Sequence, residues 1–168
     1  MDESLWILID KLWQAEQREL QYLALDILSP LASKFSEGHV TKLEKMIITK
    51  SWWDTVDIIA RNLIGKIFLK NQTCRNSYVY KWMDSDNMWL QRSAIIFQLK
   101  YRQETDINLR SEAILKNDVS KEFFVRKAQG WALRQYSKYD HLFVKNFVES
   151  NPQLSRLTQG EALRSLKL

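Results

Sequence analysis

The 168-residue chain is poor in the residues that turn or cross-link a polypeptide. It has four glycines, two prolines and one cysteine. Scarce glycine and proline argue against an all-β fold, which needs many turns, and favour helices joined by short loops. The single cysteine, Cys74, excludes an internal disulfide framework and has no neighbouring histidine or basic cluster to activate it. We therefore expect an all-α protein in which Cys74 is structural.

Histidine is almost as scarce as cysteine. With His39 and His141 as the two histidines, no spacing typical of metal ligands exists, and we expect neither a metal nor another cofactor. No apolar run approaches the length of a membrane-spanning helix. Acidic residues and tryptophans interrupt residues 1–20, where a signal peptide would lie. The sequence predicts a soluble, cytoplasmic protein with no membrane partner.

Basic residues outnumber acidic ones, and they are concentrated in the later part of the chain. Residues 1–60 contain 6 Lys+Arg and 10 Asp+Glu, a balance of −4. Residues 61–168 contain 19 Lys+Arg and 10 Asp+Glu, a balance of +9. The excess of basic residues over residues 61–168 favours a polyanionic partner such as nucleic acid. A solvated basic surface with no such partner is the alternative.

Apolar residues recur at spacings of three and four along five stretches, a pattern that predicts helices with one buried face. The stretches begin at Leu5, Leu20, Val56, Leu90 and Val125. Shorter helices are expected near residues 39–48, 73–82, 105–117 and 140–149. No linker or low-complexity tract divides the chain, so residues 1–168 are predicted to form one domain.

Pairs of large apolar residues recur near the start of three long helices. They are Trp52-Trp53, Met88-Trp89 and Phe123-Phe124, which are 36 and 35 residues apart. This period is close to that of helical-pair repeats. The predicted fold is an α-α superhelix of HEAT-like helical repeats, a curved solenoid whose second helices line the concave side.

One row of ionisable residues follows the same period. Asp57, Arg92 and Lys127 are 35 residues apart and have apolar neighbours. Because ionisable residues avoid a core, we expect this row to face solvent in the concave groove. Trp53 lies one helical turn before Asp57, and Trp131 one turn after Lys127. An acid between two indoles on a basic surface favours chemistry on DNA over passive packing.

Each of these residues has a simpler interpretation. Asp57 could form a surface ion pair with Arg61, four residues later. We assign Trp52 to the packing side and Trp53 to the groove, because adjacent helical residues point about 100° apart. The other tryptophans are expected in the core: Trp6, Trp13, Trp82 and Trp89. The basic residues expected to follow a DNA backbone, besides Arg92, are Arg61, Lys66, Arg102, Arg126, Lys127 and Arg134.

At these residues the sequence resembles the AlkD-like DNA alkylation repair proteins. The matching stretches are Ser51–Asp57 (SWWDTVD), Asn87–Tyr101 (NMWLQRSAIIFQLKY) and Phe123–Tyr136 (FFVRKAQGWALRQY). The resemblance extends over about residues 18–166. Their order, spacing and residue types agree together, which makes the motifs specific.

The resemblance implies an enzyme, a 3-methyladenine and 7-methylguanine DNA glycosylase built of HEAT-like repeats. It implies that Asp57 is the catalytic carboxylate and that Trp53 and Trp131 contact the lesion-bearing nucleotide. It also implies that Arg92 is an active-site arginine near the DNA backbone. The implied partner is double-stranded DNA with alkylated bases, and the implied reaction is base excision without a lyase step.

Family members usually begin with additional N-terminal helices, so the sequence resembles a shortened member, a member with a misplaced start, or a fragment. We expect the corresponding apolar face to be exposed and available for oligomerisation. The competing functional class is a non-catalytic HEAT-repeat scaffold that binds DNA or protein. In that class Asp57 would be a surface ion-pair residue and the tryptophans would form a protein-binding hot spot.

Overall fold

The structure, a computed structural model, describes residues 3–165. Residues 1–2 and 166–168, the ends of the predicted domain, lie outside the described residues. Within residues 3–165 the secondary structure is helical, with no strand. The α-helices are α1 (Glu3–Gln14), α2 (Arg18–Leu28), α3 (Val40–Ile48), α4 (Trp53–Ile58), α5 (Gly65–Lys70), α6 (Gln72–Met83), α7 (Met88–Ile96), α8 (Ile107–Lys116), α9 (Phe123–Tyr136), α10 (His141–Ser150) and α11 (Arg156–Ala162).

The helices form two rows. In the inner row, α2 packs on α4, α4 on α7, α7 on α9 and α9 on α11. The outer row consists of α1, α3, α6, α8 and α10, each packed against the inner row. Such stacking of helix pairs makes a superhelix with a concave inner face. The predicted all-α superhelix of HEAT-like repeats is therefore confirmed, and the functional residues lie on its inner row.

A π turn joins α4 to α5. It spans Ile59–Ile64 and ends where the backbone N–H of Gly65 bonds to the carbonyl of Ala60, five residues earlier. A π turn contains one more residue than an α-helical turn and often occurs at functional sites. The long helix therefore changes its helical phase just after Asp57.

The backbone of α5 approaches the end of α7 very closely. A Cβ at Gly65 would lie 2.6 Å from the carbonyl oxygen of Phe97, so glycine is required here. The Tyr101 hydroxyl donates a hydrogen bond of 2.6 Å to the Gly65 carbonyl. These contacts fix α5 against the turn that follows α7.

Four of the seven tryptophans are buried, as predicted: Trp6, Trp13, Trp82 and Trp89. Buried indoles need hydrogen-bond acceptors for their N–H groups. Trp13 donates to the Thr49 carbonyl at 3.0 Å, and Trp82 to the Glu44 carboxylate at 2.7 Å. The core of the inner and outer rows is thus organised around large indoles.

The predicted burial of Trp52 is wrong. Trp52 and Trp53 both remain half exposed, at 47% and 46%. Trp52 contacts the rings of Trp89 and Phe124, at 6.2 Å and 5.4 Å between ring centres. As the last residue before α4, Trp52 has an extended backbone, so the helical spacing of 100° does not apply to the pair.

Apolar side chains are exposed at the N-terminal end of the superhelix. Ile7 and Leu8 of α1 and Tyr22 and Leu23 of α2 all keep more than a third of their surface accessible. They provide the apolar face expected there, and oligomerisation through it stays a prediction. Among the described helices, none combines the length and apolar character needed to cross a membrane.

Candidate active site

A cavity of about 330 Å³ opens on the inner row between α4, α7, α9 and α11. All four residues named as catalytic from the sequence line it: Trp53, Asp57, Arg92 and Trp131. Its other lining residues are Phe123, Phe124, Lys127, Arg134 and Glu161. Residues about 35 positions apart in the sequence thus line one cavity, because successive inner helices present equivalent positions side by side.

Asp57 and Arg92, which both line the cavity, form a bidentate ion pair. Arg92 Nε and Nη2 each donate to one carboxylate oxygen of Asp57 at 2.8 Å. Asp57 is only 4% exposed and Arg92 3%. The expectation that this row faces solvent is therefore wrong for both residues. The forked geometry satisfies both carboxylate oxygens, which makes the burial of two charges tolerable.

Arg92 is also bound to α9. Its remaining terminal nitrogen, Nη1, donates to the Phe124 carbonyl at 2.6 Å. Each of the three guanidinium nitrogens therefore donates one hydrogen bond to the protein. Arg92 ties α4 and α9 together and holds the Asp57 carboxylate in one orientation.

Two opposing influences act on the ionisation of Asp57. Burial raises the pKa of Asp57 above its ordinary value of 3.8. The hydrogen bonds and charge of Arg92 and the charge of Arg61 lower it, but burial predominates. The surface ion pair considered between Asp57 and Arg61 is not the main contact, since the carboxylate binds Arg92.

A second buried carboxylate, Glu161 of α11, lies across the cavity. It is 6% exposed and accepts from Lys127 Nζ at 2.6 Å, and its other oxygen lies 2.8 Å from Arg134 Nη2. Burial alone would raise the pKa of Glu161, yet Lys127 and Arg134 hold it below the ordinary 4.5. Sequence reasoning missed Glu161, although it lies 34 residues after Lys127 and so continues the periodic row.

Two tryptophans line the cavity together with Asp57, the exposed Trp53 and the partly buried Trp131. Trp53 lies on α4, and Trp131 lies on α9 with the Arg61 guanidinium 5.6 Å from its ring centre. The cavity is also bordered by Phe124, which is stacked edge-on against Phe123 at 5.4 Å. An acid between ring faces can hold a flat, cationic group through both charge and cation–π attraction.

The comparisons with known proteins identify the family. Residues 1–166 match the family described as DNA alkylation repair enzyme. The chain belongs to the DNA alkylation repair enzyme family. Its structure is similar to that of a protein named "Predicted DNA alkylation repair enzyme" from Enterococcus faecalis, with a TM-score of 0.91 and 30% sequence identity. The match covers 99% of this chain and 78% of that chain. No curated protein matches the chain.

Family membership supports a role in the repair of alkylated DNA and indicates DNA as the partner. The resemblance inferred from the three sequence motifs is thereby confirmed. The membership does not assign roles to individual side chains, so the functions of the cavity residues stay predictions.

The basic residues expected to bind DNA in this alkylation repair protein fall into two groups. Arg126, Lys127 and Arg134 of α9 are already engaged: Arg126 Nε donates to the Ser120 carbonyl at 2.6 Å, and the other two bind Glu161. Arg61, Lys66 and Arg102 form no ion pair within residues 3–165. No group of three or more His, Cys, Asp or Glu side chains suited to a metal ion occurs in the described part of the chain.

Proposed function

We propose that this protein is a monofunctional DNA glycosylase that hydrolyses the N-glycosidic bond of positively charged alkylated purines. The lesions that fit this site are 3-methyladenine and 7-methylguanine. The observation that carries the proposal is a buried carboxylate, Asp57, fixed by two hydrogen bonds from Arg92 in a cavity between two indoles. In a site of this kind, the carboxylate that the two hydrogen bonds orient is a negative charge that can face a cationic nucleotide.

Charge explains why such a site is sufficient. A purine alkylated on its ring nitrogen carries a positive charge and leaves as a neutral base, so it needs little acid catalysis. When the bond breaks, its electron pair moves to the base and positive charge grows on the deoxyribose. Asp57 stabilises that charge and positions a water, whose oxygen bonds to C1′ while its proton is released. The products are the free base and an abasic site.

The two tryptophans hold the nucleotide. Trp53 and Trp131 each offer an indole face to a cationic group, a contact of about 0.5–2 kcal/mol. Both line the cavity together with Asp57. This arrangement favours cationic lesions over neutral ones such as uracil. A neutral base makes no cation–π contact, and it is a poorer leaving group because it would depart as an anion.

Arg92 acts by positioning Asp57. Its nitrogens bind Asp57 and the Phe124 carbonyl, so it keeps the carboxylate ionised and aimed at the cavity. The phosphate contact expected from the sequence would use the N–H groups of Arg92 that these bonds leave over. Duplex DNA is the substrate, and Arg61, Lys66, Arg126, Lys127 and Arg134 form the basic surface around it.

Lys127 is the lysine that lines the cavity, and it supports a reaction that stops at the abasic site. Its ammonium group is paired with Glu161 at 2.6 Å. A lyase step needs a free amine that attacks C1′, and an amine held by a carboxylate as ammonium does not attack. We expect that borohydride traps no covalent adduct between the protein and abasic DNA.

The test compares Asp57→Asn with Asp54→Asn. Release of 7-methylguanine from duplex DNA is measured under single-turnover conditions. Asp57→Asn should bind DNA normally and lose most of the release, by a factor of roughly 10² or more. Asp54→Asn makes the same change three residues away, where the carboxylate binds Arg18 and Tyr22 outside the cavity. Equal release by wild type and Asp57→Asn would refute the proposal.

One observation favours the alternative, a non-catalytic scaffold that binds DNA. Asp57 is neutralised by Arg92, and the exposed aromatic side chains Trp52, Trp53 and Phe123 would suit a binding surface. Under this alternative no base is released by the wild type, although binding to DNA persists and weakens with salt. The same experiment therefore decides between the two.

A further inference from the structure

Three cations lie near one another, and one of them, Arg61, lies against the ring of Trp131. They are Arg61 in the π turn, Lys66 in α5 and Lys100 in the turn after α7. Within residues 3–165, none of them makes an ion pair or a side-chain hydrogen bond. The buried Nε of Arg61 is without a partner. By contrast, Arg92, Lys127 and Arg134 of the cavity all bind carboxylates.

The π turn brings the first two cations together. In a regular α-helix, residues five apart point about 140° away from each other, since each residue turns the helix by about 100°. A π turn closes on the fifth residue instead of the fourth, as the bond from Gly65 to Ala60 shows. Arg61 and Lys66 are five residues apart, so the π turn brings them closer to one face than a regular α-helix would.

The contact between α5 and the end of α7 brings in the third cation. Gly65 lies directly against Phe97, and the Tyr101 hydroxyl binds the Gly65 carbonyl at 2.6 Å. Lys66 and Lys100 are the chain neighbours of Gly65 and Tyr101, and both are exposed. In agreement with this placement, burial and the charges of Arg61 and Lys66 lower the pKa of Lys100.

Like charges this close repel one another and destabilise the folded protein, unless an anion binds between them. The cluster also has a defined place relative to the cavity. The Arg61 guanidinium lies 5.6 Å from the ring centre of Trp131, and Trp131 lines the cavity. Since one strand of duplex DNA rises ~3.4 Å per nucleotide, the cluster can reach a phosphate within about two nucleotides of the cavity.

We propose that Arg61, Lys66 and Lys100 form a phosphodiester-binding subsite for the DNA strand whose nucleotide occupies the cavity. The inference rests on the proposed function for the identity of the strand. It adds Lys100 to the residues that bind DNA. It also assigns a role to the π turn, which brings Arg61 and Lys66 together. The subsite anchors the backbone beside the lesion through unpaired cations, whereas the paired cations of the cavity shape its wall.

The first test measures the salt dependence of binding to duplex DNA that carries a stable abasic-site analogue. The variant is Lys66→Gln/Lys100→Gln, which leaves Arg61 and its contact with Trp131 intact. Removing two phosphate contacts should lower the slope of log affinity against log salt by about 2. The matched control, Lys45→Gln/Lys145→Gln, removes the same charge from exposed positions on the outer helices α3 and α10. An equal change of slope in both variants would overturn the subsite.

The second test locates the phosphate. Single phosphates around the lesion analogue are replaced by neutral methylphosphonates, one position at a time. Wild type should lose roughly tenfold in affinity at one or two adjacent positions, and the Lys66/Lys100 variant should lose much less there, as expected for coupled partners. Parallel losses at every position would contradict the proposal. The proposed glycosylase activity can fail independently of the subsite. In that case the wild-type protein would release no base, although the Lys66/Lys100 variant would still respond less to the methylphosphonates than the wild type does.

Discussion

The Asp57–Arg92 pair shows at the residue scale how an ionised acid is kept inside a protein. Two charges at 4% and 3% exposure are costly to remove from water, and the forked hydrogen bonds offset that cost only while both partners are present. The third bond, from Arg92 to the Phe124 carbonyl, leaves the guanidinium no freedom to turn away. The geometry of the acid is thus set by its partner, and chemistry at the site depends on both residues.

Removing one partner should therefore be far worse than removing both. Arg92→Met leaves Asp57 as a buried, unpaired charge, and we expect it to lower the free energy of unfolding by about 3–5 kcal/mol. The double variant Asp57→Leu/Arg92→Met replaces the pair with apolar side chains and should recover most of that loss. Urea unfolding followed by circular dichroism measures both. A double variant as unstable as the single one would show that the pair is not the cause.

The acid limb of the pH–rate profile should report the Asp57 carboxyl. Excision requires the ionised form, so the rate should rise with pH through the pKa of Asp57, which burial places above 3.8. Arg92→Gln removes a positive charge and should move this limb to higher pH. Single-turnover release across a pH series measures the shift. A limb that stays in place would show that another group titrates there.

The same raised pKa has a consequence for stability. The folded carboxyl keeps its proton to a higher pH than the unfolded chain does. Its contribution to stability is therefore fully present below the unfolded pKa and is lost as the pH rises through the folded pKa. The protonated form of Asp57 thus favours folding, whereas the ionised form, which appears at higher pH, is the one that the proposed reaction requires.

The sequence predicted which residues meet at this site but not how they meet. The 35-residue period brought Asp57, Arg92 and Lys127 onto one face, and all three line the cavity. Their exposure was predicted wrongly, because spacing along the chain does not reveal that an acid and a base satisfy each other. Glu161 was missed for a related reason: its partner Lys127 lies 34 residues away, and its burial depends on that pairing.

At the scale of elements, α9 and α11 cross so closely that a side chain cannot fit between them. A Cβ at Gly130 would lie 2.5 Å from the Cβ of Glu161 and 2.7 Å from the Thr158 carbonyl. This crossing brings Glu161 to the cavity and to Lys127. The packing of two helices thus determines where the second carboxylate lies.

Two glycine substitutions test this crossing. Gly130→Ala should destabilise the protein by about 1–3 kcal/mol, because the new methyl group forces the two helices apart. Gly160→Ala is the matched control within α11, since a Cβ there meets nothing within 4 Å. It should be neutral or stabilise by roughly 0.5–1 kcal/mol, because alanine favours helix over glycine. Thermal unfolding of both variants measures the difference, and equal effects would refute the argument.

The helices were predictable from periodicity, but the π turn was not. Apolar stripes placed α1, α2, α7 and α9 correctly, because one buried face is enough to define them. The segment Ile59–Ile64 has the same apolar stripe as an ordinary helix. Its extra residue coincides with the close contact of Gly65 with Phe97, a long-range feature that no local pattern contains.

At the scale of the whole molecule, the charges that line the cavity are paired, whereas a second set of cations outside it is unpaired. The cavity lining holds three cations and two acids: Arg92, Lys127, Arg134, Asp57 and Glu161. These are paired with one another, and Asp57, Arg92 and Glu161 are buried, whereas Lys127 and Arg134 remain partly exposed. The unpaired cations lie outside the cavity, on a chain whose net charge is +5. Attraction of DNA and stabilisation of the transition state are thus assigned to different side chains.

This division predicts that salt acts on binding and spares the chemical step. At 0.1 M ionic strength, interactions between exposed charges more than about 10 Å apart are largely screened, whereas interactions within buried pairs are screened much less. The KM for 7-methylguanine release should therefore rise by a factor of ten or more between about 50 and about 200 mM salt. The single-turnover rate at saturating DNA should change less than about twofold, since Asp57 and Arg92 are buried.

Steady-state and single-turnover rates over a salt series measure the two quantities separately. The outer-face variant Lys45→Gln/Lys145→Gln controls for net charge and should keep the wild-type salt dependence of KM. A chemical rate that falls in parallel with binding would mean that exposed cations act in the transition state. Because the paired charges around Asp57 are fixed before DNA arrives, we expect the two rates to separate, with DNA held by the exposed cations and the bond broken by the buried acid.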